Sequence, residues 1–430
     1  MSLLPNIIFA LVFFSGVGFF LRNISKVKRN IYLGKDVDTS SHTKLRWTNM
    51  AKIALGQGKM VRRPISGILH IIVYVGFVII NIEVLEIVID GLFGTHRIFS
   101  TIGPLYGVLI GTFEVLAALV FIAVVIFWFR RNVVKIQRFM KSEMKGWPKL
   151  DGNLILYFEI LLMGLFIIMN ATDVEFQAMN SGNIISQFFA PMFEGYNVHL
   201  IERTVWWAHI IGILVFLNYL YYSKHLHILL AFPNTYYGSV KPKGQLDNLE
   251  AVTNEVKLMM DPDADPYAAV SEDAAAPDKF GASDVQDLNW VQLLNAYTCT
   301  ECGRCTSECP ANQTGKKLSP RKIMMDTRDR LVEVGKNIDA NNGEFKLDGK
   351  QLLGDYITNE ELWACTSCNA CVEACPVSID PLSIIIEMRR YLVMEQSDAP
   401  MELNNMMSNI ENNGAPWPYN QMDRLNWKNN

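Results

Sequence analysis

Along the first half of the chain, hydrophobic positions fall into long unbroken runs rather than into stripes. Five of them, at 3–21, 65–89, 102–129, 154–170 and 204–222, are long enough to cross a bilayer as helices. The first has no basic residue before it and no small-residue cleavage site, and basic residues follow it at once, so it reads as a retained anchor rather than a signal peptide. Between 241 and 287 the pattern stops. That stretch is rich in Asp, Ala and Pro, with Asp261-Pro262-Asp263-Ala264-Asp265-Pro266 at its centre, and reads as a linker. From Trp290 apolar residues return at helical spacing in short segments, with no alternating run that would make a strand. The tail from Asn404 is rich in Asn and Met and carries no sustained pattern. The expected fold is therefore all-α: a five-helix transmembrane bundle over 1–230, an acidic linker over 231–289, a helical domain over 290–395, and a tail over 396–430 that is a candidate docking segment for a partner.

Composition agrees with a chain of more than one domain, since 430 residues at 50% hydrophobic and 19% charged are too apolar for a soluble protein of that length. The net charge of −4 hides a split. The loop 22–63 holds eleven Lys/Arg against two Asp, and 130–149 holds seven against one Glu. The intervening loops are poor in basic residues, and 171–203 carries Asp173, Glu175, Glu194 and Glu202. The positive-inside rule then places the N-terminus outside and everything after Tyr222 in the cytoplasm, as in a multi-pass protein of the inner membrane. Membrane lipid is one expected partner, and nothing points to nucleic acid.

All eight cysteines lie between Cys299 and Cys375. Cys299-x2-Cys302-x2-Cys305-x3-Cys309-Pro310 and Cys365-x2-Cys368-x2-Cys371-x3-Cys375-Pro376 are two copies of a run that binds [4Fe-4S] clusters. In that arrangement three thiolates wrap one cubane and the fourth reaches the other cluster. Cys299, Cys302, Cys305 and Cys375 are thus assigned to one cluster, and Cys365, Cys368, Cys371 and Cys309 to the second. Zinc is the alternative, but a structural zinc site needs only four ligands and would leave cysteines spare. Disulfides do not suit a cytoplasmic domain. The 55 residues between the runs leave room for helices, which favours a helical ferredoxin-type domain.

Four of the seven histidines sit in or at the ends of apolar segments: His70, His209, His225 and His227. Imidazoles on facing helices at equal depth are normal axial ligands of a haem in a helical bundle. His70 and His227 both lie toward the cytoplasmic side and are the expected ligands of an inner haem b, with His225 as the alternative. His209 and His227 are eighteen residues apart, five full turns and about 27 Å along one face, so His209 is a candidate ligand of an outer haem. His42, His96 and His199 read as ordinary loop or interface residues. Glu83, Glu86, Glu114 and Glu159 lie within or near the apolar segments, where a carboxylate is costly. Of these, Glu83 and Glu86 lie toward the outer side and are candidates for a quinol site or its proton exit, a plain interhelical hydrogen bond being the competing explanation.

Two resemblances extend this reading. The stretch from His209 to His227, with Ser223 and Lys224 before the last histidine, resembles the final helix of the respiratory nitrate reductase gamma subunit and of the cytochrome b subunit of membrane heterodisulfide reductase. In the nitrate reductase family two histidines ten residues apart on the second helix complete two haem sites; His70 matches the first, and Ile80 stands at the second. The stretch Ala296-Tyr297-Thr298-Cys299-Thr300-Glu301-Cys302-Gly303-Arg304-Cys305, continuing through Thr314-Gly315-Lys316 and Leu318-Ser319-Pro320-Arg321, resembles the ferredoxin-like part of heterodisulfide reductases. So does Leu362-Trp363-Ala364-Cys365 through Met388-Arg389-Arg390. Those reductases continue into cysteine-rich CCG domains. No cysteine follows Cys375, and Asn412 to Trp427, with Pro416-Trp417 and Arg424, resembles the connector before such domains, so the resemblance implies a partner subunit carrying the substrate site.

The expected function is that of an oxidoreductase subunit moving electrons between a quinone and a soluble CCG-type partner, through one haem b, a second if His209 finds a partner, and two [4Fe-4S] clusters. A self-contained quinone reductase and an anchored ferredoxin without haem are the alternatives.

Overall fold

The computed structural model describes residues 3–263 and 279–429; the middle of the expected linker, 264–278, lies outside them. Among the described residues, five helices are long and apolar enough to cross a membrane: α1 (Leu4–Ile31), α2 (Pro64–Phe93), α3 (Pro104–Asn132), α4 (Trp147–Thr172) and α5 (Val198–Tyr219), the last continued by a tight turn to Tyr222. No strand forms among the described residues. Proline in the first turn opens α1 to α4, where its missing N–H leaves no bond unmade.

Three bounds differ from expectation by six residues or more. α1 runs ten residues past its apolar segment, α4 starts seven before its own, and α5 starts six before its own. Residues that read as loop are helix here because they have burial or partners outside the apolar layer. Asn23, Val27, Asn30 and Ile31 of α1 are buried, and Asp151 in α4 accepts hydrogen bonds from Tyr219 Oη and Ser223 Oγ, both at 2.6 Å.

The bundle packs through small residues and aromatic rings. Gly76 lets α2 approach α3 so closely that a Cβ there would lie 2.4 Å from Val120 Cγ2. Tyr106, Ile110, Phe113 and Phe166 fill the interior, while Leu11, Phe14, Val78, Ile122, Leu161 and Val215 point outward. An apolar outer surface is what a bilayer demands of a bundle.

The second domain is built on α7 (Trp290–Thr298), α8 (Pro320–Ala340) and α9 (Pro381–Met394), numbering α6 as the helix His227–Tyr237 that leads out of the bundle. Its core holds Leu293, Ile323, Leu331, Val334, Leu362, Ile384 and Met388. Arg330, fully buried, binds Asp284 and Asp348 at 2.7 and 2.6 Å, which pins 279–289 to the domain with Ala282, Val285 and Leu288 buried. At the other end of the expected linker, Tyr237 of α6 packs edge-on to Trp290 at 4.7 Å, and Asn234 Nδ2 donates to Val377 O at 2.8 Å. Both flanks of the acidic stretch are thus built into the folded protein. Their apolar segments are too short to show a period. The tail carries one further helix, α10 (Met401–Asn413), with no buried residue.

The domain sits on one end of the bundle. Asn30 Nδ2 of α1 donates to Tyr297 Oη at 2.8 Å, Lys35 N and O bond to Leu288 O and Trp290 N at 2.8 and 3.1 Å, and Arg321 binds Glu143 at 2.7 Å and Arg138 O at 2.6 Å. Arg62 and Arg63 pair with Glu373 and Glu308 at 2.6 and 2.8 Å. The two basic loops are the surface on which the domain rests.

Candidate redox centres

Each cysteine run coils back on itself. Cys305 and Cys371 lie on short helices, Arg304–Glu308 and Ala370–Ala374, and the last cysteine of each run caps its helix before a proline. The turns require left-handed backbone at Glu301, Gly303, Ser367 and Asn369.

A cavity is lined by Cys299, Cys302, Cys305, Cys371 and Cys375, with Arg321 and Met324 also in its wall. Cys375, the last cysteine of the second run, is thereby brought to the first run. Burial pushes the Cys299 thiol up to about 12 and the Cys375 thiol up to about 11. Cys305 is pushed well above the ordinary range, first by burial and then by the neighbouring Cys302, Cys299 and Cys375 thiols. On the other side, burial raises Cys365 and takes Cys371 up to about 12, with Cys309 beside both and Cys368 beside Cys365. Buried thiols of this kind hold negative charge only against a cationic centre. Cys368 is the exposed member of the eight. Among the described residues no three Cys, His, Asp or Glu converge on a single metal ion.

At the bundle end beneath the first cysteine group, the rings of His70 and His227 stand 6.5 Å apart, centre to centre, at 40°. Two imidazoles bound to one iron from opposite sides, each by a bond of about 2 Å, put their ring centres about 6 Å apart. His227 Nδ1 is 3.2 Å from Lys224 O, a bond that leaves Nε2 free as a ligand atom. His70 Nδ1 is buried without a partner. The residues present fit a haem iron held between them. His225 lies beside this pair rather than across it, 5.3 Å from His227 at 86°, with Nε2 3.9 Å from Glu159. His209 is buried against the edge of Phe166, its Nδ1 unpartnered, and no second histidine ring faces it among the described residues.

A buried ion cluster joins the two centres, and sequence reasoning missed it. Glu301, between Cys299 and Cys302, pairs with Lys224 and, at 2.8 Å, with Arg328. The backbone carbonyl of the same Lys224 takes the His227 bond. At the opposite end of the bundle Glu86 accepts from Tyr106 Oη at 3.0 Å and Phe99 N at 2.8 Å, while Glu83 is 2% exposed with Oε2 unpartnered. Glu114, likewise fully buried, accepts from Asn170 Nδ2 and from the Ile185 and Ser186 N–H groups.

Residues 298–379 match the 4Fe-4S dicluster domain family. The chain is 29% identical over 415 residues, 89% of its length, to a probable iron-sulfur-binding oxidoreductase, FadF, of Bacillus subtilis. It is 26% identical over 410 residues, 87% of its length, to the EtfAB:quinone oxidoreductase of Syntrophomonas wolfei. It covers 54% and 52% of these two, so the chain spans about half the length of the curated relatives it matches. A probable membrane-anchored ferredoxin of Chromohalobacter salexigens is 33% identical over 171 residues, 36% of this chain and 25% of that protein. Subunits C and D of heterodisulfide reductases from Methanosarcina match over shorter stretches. No solved structure matches. The comparisons make 298–379 a domain for two [4Fe-4S] clusters, and the chain a relative of membrane-associated iron–sulfur oxidoreductases.

Proposed function

We propose that the chain carries electrons between a membrane quinone and a soluble redox partner, through one haem b held by His70 and His227 and two [4Fe-4S] clusters. The clusters are held by Cys299, Cys302, Cys305 and Cys375 and by Cys365, Cys368, Cys371 and Cys309. The observation that carries this is the His70–His227 pair, spaced for an iron and tied through Lys224 and Glu301 to the first cysteine group. Bound there, the haem supplies reversible one-electron storage, and the protein sets its ligands and surroundings. The cysteine group nearest the bundle is the proximal centre, and the group with exposed Cys368 faces the partner. The basic loops support a cytoplasmic location for this end. A heterodisulfide-reductase-like CCG protein is the partner proposed, from the likeness to subunits C and D. The Syntrophomonas relative has a quinone in its name, which supports the membrane substrate.

A second reading, an anchored ferredoxin without haem, is favoured by the Chromohalobacter relative. Anaerobic purification in mild detergent separates the two. Dithionite-reduced minus oxidised spectra, with haem and iron quantification, are expected to give one haem b and about eight non-haem irons. His70→Ala and His227→Ala are each expected to lose the haem and keep the non-haem iron. A wild-type protein with iron but no haem would leave the anchored ferredoxin.

A further inference from the structure

The connection between α4 and α5, at the end of the bundle remote from the cysteines, is acidic only at its two ends. Asp173 and Glu175 precede and Glu194 and Glu202 follow a stretch, Phe176 to Phe193, that holds no charged residue. Its side chains are arranged the wrong way round for water. Phe188 and Met192 are 74% and 68% exposed, Ile184 and Phe189 are exposed as well, and Ser186 is fully buried.

The stretch runs down one face of α3. A Cβ at Gly107 would lie 1.9 Å from Ser181 Oγ, and one at Gly111 would lie 2.9 Å from Ile184 Cδ1. One turn further into the bundle, Glu114 accepts from Ile185 N at 2.7 Å and Ser186 N at 3.1 Å. Gly107, Gly111 and Glu114 stand at i, i+4 and i+7 and so form one groove. A Gly-x3-Gly pair in an apolar helix commonly seats another helix; here it seats irregular backbone. The depth follows by counting. Arg130 and Arg131 end α3 on the side of the iron–sulfur domain, and about 20 residues of hydrocarbon counted back from them put the far boundary near Ile110. Glu114, and the Ser186 amide that it holds, lie about 6 Å inside that boundary.

Irregular backbone at such depth must find its partners within the protein. It does: Phe188 N and Phe189 N donate to Ile185 O and Ser186 O at 3.2 and 2.9 Å, and Gln177 Nε2 donates to Ser186 Oγ at 2.8 Å. The exposed rings continue the outward apolar surface of the bundle, which Val108 of α3 and Leu200 of α5 carry to this end.

We propose that residues 181–193 are a re-entrant segment whose Ile184, Phe188, Phe189 and Met192 are seated among lipid acyl chains, in the leaflet remote from the iron–sulfur domain, with Glu114 as the hook that holds the segment at that depth. The occupant of this surface is lipid hydrocarbon, because the face offers no charge for a soluble partner to read and is continuous with the lipid-facing sides of the helices. The proposal is independent of the haem and quinone readings.

The test places a fluorescent, prodan-bearing amino acid at Phe188 of the full chain, held in phosphatidylcholine nanodiscs open to water on both faces. A nitroxide high on the lipid acyl chain is expected to quench it at least about twofold more strongly than a nitroxide on the headgroup, as for a side chain buried roughly 5–10 Å, and iodide in the water is expected to quench it weakly. The same amino acid at Glu175, whose side chain is 84% exposed, is expected to show the reverse order. Glu114→Ala is expected to speed amide hydrogen exchange at Ile185 and Ser186 by about tenfold or more, the weight of hydrogen bonds to a charged group, with exchange over 290–298 unchanged as the report of an intact fold. Iodide quenching at Phe188 as strong as at Glu175 overturns the proposal. So does shielding from both iodide and lipid nitroxide, which a covering protein or a second copy of the chain would give. Unchanged exchange in Glu114→Ala overturns the role given to that carboxylate.

Discussion

Cys375 lies ten residues beyond Cys365, the first cysteine of its own run, yet it lines the cavity of the other run. Its removal should therefore act at a distance. Cys375→Ser is expected to lose the cluster of Cys299, Cys302 and Cys305 and to leave the other, while Cys368→Ser does the reverse. Iron quantification and the electron paramagnetic resonance signals of the reduced protein check this; loss of the same cluster in both variants would refute the crossed ligation. The two cysteine runs were legible in the sequence because ligand spacing within each run is local and rigidly required. His70 and His227 were legible for a similar reason, since depth along a helix follows from counting residues. Lys224, Glu301 and Arg328 were not, because a buried ion cluster depends on which distant segments meet. His96 read as a loop residue, and only the fold brings it beside Asp173 and into a cavity wall with Glu83.

At the scale of elements, α1 does two jobs with one continuous helix. Its 28 residues span about 42 Å, against about 30 Å of hydrocarbon. The excess turns reach into the second domain, where Gly335 of α8 admits Asn30; a Cβ there would lie 2.4 Å from Asn30 Nδ2. Gly335→Leu is expected to weaken this docking by about 1–3 kcal/mol and to leave non-haem iron unchanged. Faster amide hydrogen exchange over residues 24–31 would show it, and unaltered exchange would mean that the contact carries no weight. The sequence marked the apolar cores of all five helices, because length and hydropathy suffice for that. It did not mark where α1 ends or α4 begins, because the residues there are polar and their burial is a tertiary fact.

Across the whole molecule, the histidine pair, the ion cluster and the first cysteine run form one line of contacts, and exposed Cys368 belongs to the other run. That line is held by contacts on both flanks of residues 264–278: α1, the basic loops and α6 on one side, Arg330 and 279–289 on the other. The spacing of the redox centres is thus set by docking. If the proposed haem and clusters are bound, inserting ten Gly/Ser residues within 264–278 is expected to change the rate of electron exchange between them by less than about twofold, because the docking contacts on either side of the insertion are untouched. A flash-induced or rapid-mixing measurement would read this, and a slowdown of tenfold or more would show that the connection itself sets the distance. A covalent link between two surfaces is dispensable once those surfaces bind well enough. The same protein, cut there into two polypeptides and expressed together, should therefore reassemble without any new interface, as a helical membrane bundle with a detachable iron–sulfur domain.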